Sequence, residues 1–285
     1  MKKILFVGNG FLGSQISSIA QTKNFQTFVA SQKNGSIIDV RNIESIENVI
    51  RKINPDIVFN CAAITKLDEI EKNSKNAFEV NAYGAENIAK IVSKYSKRLI
   101  HISTDSVFDG KKGNYLENDE GKPINEYGKS KKLGEQLVKD ISNNCIIIRT
   151  NFYGNNKDGK FLFNWILQNL KQNKKFGGFT NVLFNPLEIE NLSNSLLELS
   201  ELDYTGVLHI GSDKIYSKYN FAKIIAEKLG YNTDLVIGKK IEEIELTAKR
   251  PKNTSLNNQL FKKLIKNKPE NLEEWLERKK NNLKL

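Results

Sequence analysis

Apolar residues in the first half of the chain gather in short, almost unbroken runs: Ile4–Val7, Phe25–Ala30, Ile57–Ala63, Arg98–Asp105 and Cys145–Thr150. Such runs suit strands covered on both faces, because a strand with one wet face would alternate apolar with polar residues. Between them, Ser14–Ala20, Ile43–Ile53, Ser74–Tyr95 and the segment after Asn125 carry apolar residues at helical spacing. Strand alternating with helix predicts an α/β fold built on a parallel sheet. The second half alternates less cleanly. Helices are expected over Phe161–Leu170, Ile189–Leu199 and Tyr219–Leu229, a strand over Gly206–Ile210, and a last helix after Pro269. The expected organisation is a core over residues 1–155, rejoined by later strands around 180–212. Residues 156–285 would form mainly a smaller C-terminal substrate-binding lobe, interleaved with that core.

The first strand runs into Gly8-Asn-Gly10-Phe11-Leu12-Gly13 and then a helix. Glycines belong where the backbone turns tightly and must approach a pyrophosphate, while the helix N-terminus offers free N–H groups to the anion. Strand, glycine turn and helix at the start of the chain predict a dinucleotide site in a Rossmann-type doubly wound sheet. The second strand ends in Ser31-Gln32-Lys33, with no acid to grip the ribose hydroxyls of NAD. A cation there tolerates a 2′-phosphate, so NADPH is favoured, with NADH possible. Asp39 and Val40 end the next apolar run and are placed at the adenine; Asp39 also suits an N-cap, although Asn42 is better placed for the helix that follows. Small residues at Ala62 and Ala63 would let a cofactor lie close.

Thr104, at the carboxyl edge of the sheet, could hydrogen-bond a substrate carbonyl or satisfy local backbone. Tyr127 and Lys131 lie four residues apart, which puts them on one helix face. An ammonium near a phenol favours the phenolate and lowers its pKa from about 10, allowing proton transfer near neutral pH. Alone, the pair also fits a solvated helix. Arg250 could present its guanidinium to a diphosphate or stand exposed before Pro251.

Composition narrows the picture. The 285 residues are 39% hydrophobic and 27% charged, as in a globular protein, and no apolar run approaches the ~20 residues of a membrane helix. No signal peptide is expected, and a cytoplasmic location is. Cys61 and Cys145 sit within apolar runs and predict buried free thiols, while two histidines leave little for a metal site. The net charge of +11 is spread along the chain. It predicts no nucleic-acid or membrane partner, but suits an anionic small substrate.

The glycine turn, Asn60-Cys-Ala-Ala63, Ser103-Thr104-Asp105, Tyr127xxxLys131, Arg149-Thr150 and Arg250-Pro-Lys-Asn-Thr-Ser-Leu256 together resemble the extended short-chain dehydrogenase/reductase family. Within it the chain is most similar to the dTDP-4-dehydrorhamnose reductases and their relatives. The resemblance implies that Tyr127 protonates the C4 oxygen of a keto sugar, Lys131 lowers its pKa and holds the nicotinamide ribose, and Thr104 orients the carbonyl. It implies that Asn81 supports the proton relay. Gly8, Gly10, Phe11, Leu12, Gly13, Ser31, Lys33, Asp39, Val40, Ala62 and Ala63 would serve the cofactor, and Asp105, Asn151, Phe152, Tyr153 and Arg250 a nucleotide sugar. The chain would act as a monomer or homodimer.

Three departures stand out. The family's usual GxxGxxG is here Val7-Gly8-x-Gly10-x-x-Gly13. Its Arg-Thr-Ser-Trp-Val-Tyr-Gly is Arg149-Thr-Asn-Phe-Tyr-Gly154, and its Gly-x-Pro-Thr loop is Phe184-Asn-Pro-Leu187. The last two fall on the substrate side. Dehydratases of the superfamily carry Asp-Glu after the Thr, and here Ser106 follows Asp105. The remaining alternatives are an epimerase, which reuses Tyr and Lys, and a non-catalytic NADP-binding regulatory subunit.

Overall fold

The computed structural model describes residues 1–32, 36–156 and 161–283. At its centre lies a seven-stranded sheet whose strand pairings are all parallel. In chain order these strands are β1 (Lys2–Val7), β2 (Phe25–Ser31), β3 (Ser36–Ile37), β4 (Ile57–Asn60), β5 (Arg98–Ile102), β6 (Cys145–Thr150) and Gly206–Ile210. In space the order is Gly206–Ile210, β6, β5, β4, β1, β2, β3. The chain moves outward from β1 to β3 and then crosses back to lay β4 on the other side of β1. Connections diverge there, opening a crevice at the carboxyl ends of β1 and β4. The doubly wound sheet expected from the apolar runs is present.

Helices cover both faces. On one side α1 (Phe11–Gln21), Ile189–Glu201 and Gln259–Leu264 bury Ile16, Leu192, Leu196 and Phe261. On the other, α2 (Ile43–Ile53) and α5 (Gly84–Lys94) bury Ile46, Ile50, Ile88 and Val92, beside Val138 of α6 (Glu126–Ile141). Each such side chain contributes roughly 1.5–3 kcal/mol when fully buried. Asn42 caps α2 through the amides of Glu44 and Ser45 at 2.9 and 3.1 Å, and Asn125 caps α6 through Gly128 at 2.8 Å.

The helix expected over Ser74–Tyr95 is interrupted. Lys75–Phe78 and α5 are joined by a π-helical turn, Glu79–Tyr83, which carries Asn81. Of the chain around 180–212, Gly206–Ile210 joins the large sheet. Leu183–Phe184 pairs with Tyr216–Ser217 and Leu187–Glu188 with Phe152–Tyr153. Pro186, between those short strands, has no N–H to give to a longer ladder. A second core, with Phe163, Phe221 and Trp275 at its heart, gathers Leu162–Lys171, Lys218–Leu229 and Leu272–Leu283.

Candidate active site

The glycine turn is built by contact. Gly8 has φ +100°, and a Cβ there would stand 2.7 Å from the amide nitrogen of Ala62. A Cβ on Gly13 would collide with the carbonyl oxygen of Gly8, whereas one on Gly10 would meet nothing within 4 Å. Gly8 and Gly13 are therefore demanded by the fold, and Gly10 leaves open space. Gly10 is also the N-cap of α1 and makes no side-chain cap, so the helix keeps its first amides for an anion. A crevice of about 590 Å³ runs from this turn past Ser31, Val40, Ala62 and Ala63. These features fit a dinucleotide.

Other residues expected there differ in detail. Leu12 is buried in the sheet core, so its side chain cannot serve a cofactor. The Phe11 ring stacks on Phe161 with centroids 5.0 Å apart and leans on Phe152 at 6.3 Å. Phe152, expected on the substrate side, thus packs beside the glycine turn. The Asp39 carboxylate is engaged by the Arg41 guanidinium, Nη2 to Oδ2 at 2.7 Å and Nε to Oδ1 at 2.9 Å, which holds its pKa at about 2. Val40 and Arg41, not Asp39, line the crevice. Lys33 lies outside the described residues. Cys61, expected to be buried, is only half-buried and lines the crevice.

The candidate proton donor stands at the N-terminal end of α6. Tyr127 is half-buried, and its phenol lies close to the Thr104 side chain. Burial pushes its pKa up to about 12; the nearby Thr104 hydroxyl opposes this, and the charge of Asp105 adds to it. The expected lowering by Lys131 is not found. The Lys131 Nζ instead donates to the Ile102 carbonyl at 2.7 Å, and burial pulls its own pKa down to about 8 against the pull of Glu135 and Cys61. The two side chains share a helix face, but the ammonium is anchored to the end of β5.

Asn81 braces this arrangement. Its side chain accepts from the Ile64 amide at 2.8 Å and donates to the Ile64 carbonyl at 2.9 Å and the Ser130 hydroxyl at 3.0 Å. A Cβ on Gly134 of α6 would collide with the Asn81 carbonyl oxygen. Below Thr104 lies a buried ion pair. Arg149 donates to Glu135 through Nε at 2.9 Å and Nη2 at 2.8 Å, and Ser103 donates to the same carboxylate at 2.6 Å.

A second cleft, also about 590 Å³, opens beside Thr104, lined by Asp105, Asn151, Trp165, Phe184, Lys218 and Arg250. Asp105 is buried and accepts from Thr104 at 3.1 Å, Asn151 at 2.9 Å and Thr254 at 2.6 Å. Arg250 reaches the cleft with Nη2 donating to both Asp68 oxygens at 3.1 Å, so its guanidinium is already paired. Tyr153 corrects the sequence reading. It packs in the second core against Phe163, Phe221 and Trp275, because its two-residue strand turns alternate side chains to opposite sides. A separate groove of about 1030 Å³ beside Lys266, Glu270 and Arg278 includes none of these site residues.

Sequence reasoning missed Arg41, Lys218 and Thr254. Arg41 directly follows Asp39-Val40, and Thr254 lies within the Arg250–Leu256 motif. Lys218 has no local signal and reaches the cleft through the tertiary fold.

Residues 1–284 match the model of the RmlD substrate binding domain. The chain belongs to this family. It is 31% identical over 225 residues to a probable low-salt glycan biosynthesis reductase of Haloferax volcanii, covering 77% of this chain and 75% of that one. With the dTDP-4-dehydrorhamnose reductase of Aggregatibacter actinomycetemcomitans, identity is 29% over 238 residues, 78% of this chain and 79% of the relative. The crystal structure of dTDP-4-dehydrorhamnose reductase from Bacillus anthracis, in complex with NADP, superposes with a TM-score of 0.90. That match has 29% identity and covers 98% of each chain.

Proposed function

We propose that the protein is an NADPH-dependent reductase of a nucleotide-linked 4-keto-6-deoxy sugar. The observation that carries this reading is the Tyr127 phenol set close to Thr104, whose neighbour Asp105 lines the second cleft, with the glycine crevice in the same molecule. The names of the relatives support a sugar-nucleotide reductase, and the NADP bound to the Bacillus anthracis enzyme supports the choice of cofactor.

Reduction of a ketone needs a hydride and a proton, and reduced nicotinamide supplies the hydride, here to C4. Tyr127 supplies the proton. With a pKa of about 12 the phenol is protonated at neutral pH, as a donor must be, and it gives its O–H proton to the carbonyl oxygen. The Thr104 hydroxyl orients that oxygen. Lys131, one helical turn along α6, is a cation on the same helix face, although in this structure it is held by the Ile102 carbonyl and does not lower the pKa of the phenol. Gly8 and Gly13 shape the pyrophosphate turn, and Asn81 keeps α6 in register with the crevice floor.

The test is to follow the absorbance of reduced nicotinamide while the protein is mixed with NADPH and a panel of nucleotide 4-keto sugars. Oxidation of the cofactor dependent on one sugar is expected. Cofactor binding without turnover across the panel would overturn the reading and favour a binding subunit.

A further inference from the structure

Lys218 is a cation for which neither fold nor catalysis accounts. It begins the helix Lys218–Leu229, immediately after the N-cap Ser217. That is a poor place for an ammonium, because a helix N-terminus carries partial positive charge. The Nζ atom lies over the ring of Phe184, 3.1 Å from its centroid, and among the described residues it makes no hydrogen bond or ion pair. Burial draws its pKa down to about 7, and the one charge opposing that shift is Asp105. That carboxylate is already engaged by the donors of Thr104, Asn151 and Thr254.

The other cations of the cleft are differently placed. Arg250 is paired with Asp68, and Lys239 lies along Gly177 and is exposed. Lys218 is the ammonium that feels the charge of Asp105, and it lines the same cavity as Trp165 and Phe176, whose rings stand edge-on. A nucleotide sugar with its ketone at Thr104 and its base along those rings must carry its phosphates across the space between them.

Resting on the function proposed above, we propose that Lys218 binds the phosphate that joins the sugar to its nucleotide, and thereby sets how far the sugar enters beside Thr104. The Phe184 ring serves as the seat that holds the ammonium in place before the anion arrives.

The test is calorimetric titration of the full chain, saturated with NADP, with thymidine and uridine diphosphates and with the parent nucleosides. Lys218→Met should weaken binding of whichever diphosphate the wild type takes by at least about tenfold, leave nucleoside binding unchanged, and be largely rescued by Lys218→Arg. Diphosphate affinity within about twofold of wild type in a folded Lys218→Met would overturn the proposal. Lysine side-chain NMR of the unmutated protein gives a reading that no folding defect can obscure. The Lys218 pKa should rise when the diphosphate is added, and an unmoved resonance would also overturn the proposal. Turnover separates the two readings. A protein that binds diphosphate through Lys218 but reduces no keto sugar keeps this inference and loses the reductase; a reductase with unchanged KM in Lys218→Met does the reverse.

Discussion

The Lys131 ammonium donates to the carbonyl oxygen of Ile102 at 2.7 Å, tying the α6 side chain to the last residue of β5. This bond orients the charge, but burial still makes the charge costly, and the pKa falls to about 8. The charged form dominates below that value and is lost above it. If the ammonium stabilises the phenolate, kcat/KM for the keto sugar should be level near pH 7 and fall about tenfold per unit beyond pH ~8. A profile level to pH ~10 would remove Lys131 from this role.

Tyr127→Phe removes the phenol proposed as the proton donor while keeping the ring. Turnover should fall by about 10²- to 10⁴-fold, the usual contribution of a positioned acid, with NADPH affinity nearly unchanged. Single-turnover oxidation of NADPH at the wild-type rate would show that the proton comes from elsewhere.

Arg41 lines the crevice near Ser31, with its guanidinium held by Asp39 at 2.7 Å. A 2′-phosphate on the adenosine ribose would gain a charge-assisted partner there, worth roughly 1.5–3 kcal/mol. Arg41→Ala should therefore raise KM for NADPH by about tenfold or more while hardly affecting NADH. Equal losses with both cofactors would mean that Arg41 supports the crevice wall and does not read the phosphate.

Glu135 and Arg149 are both 3% exposed and form an ion pair at 2.8 Å, with Lys132 a more distant partner of the carboxylate at 3.4 Å. Removing one leaves the other ionised in a site that cannot solvate it. Arg149→Met should cost about 3–5 kcal/mol in urea unfolding, and pairing it with Glu135→Leu should recover much of the loss. A single variant as stable as wild type would mean that water reaches the pair.

The strands were legible in the sequence because a parallel sheet covered on both faces leaves unbroken apolar runs such as Ile57–Asn60, buried throughout. Gly8 and Gly13 were legible because backbone collisions exclude every other residue type. Features made by tertiary contact were not. The π-helical turn at Glu79–Tyr83 is held through Asn81 by Ile64 and Ser130, partners remote in sequence. Tyr153 reads as a site residue until its strand pairing turns it into the second core. The spacing of Tyr127 and Lys131 gave their shared face, but not the burial that sends the phenol upward in pKa and the ammonium downward.

Asp105 draws two distant segments of the chain, at Asn151 and Thr254, onto a single side chain beside its neighbour Thr104. An amide at this position would turn an N–H toward partners that are themselves giving hydrogens, and the walls on either side would be pushed apart. The width of the cleft at this end is thus gauged by a carboxylate whose hydrogen bonds go to its own walls.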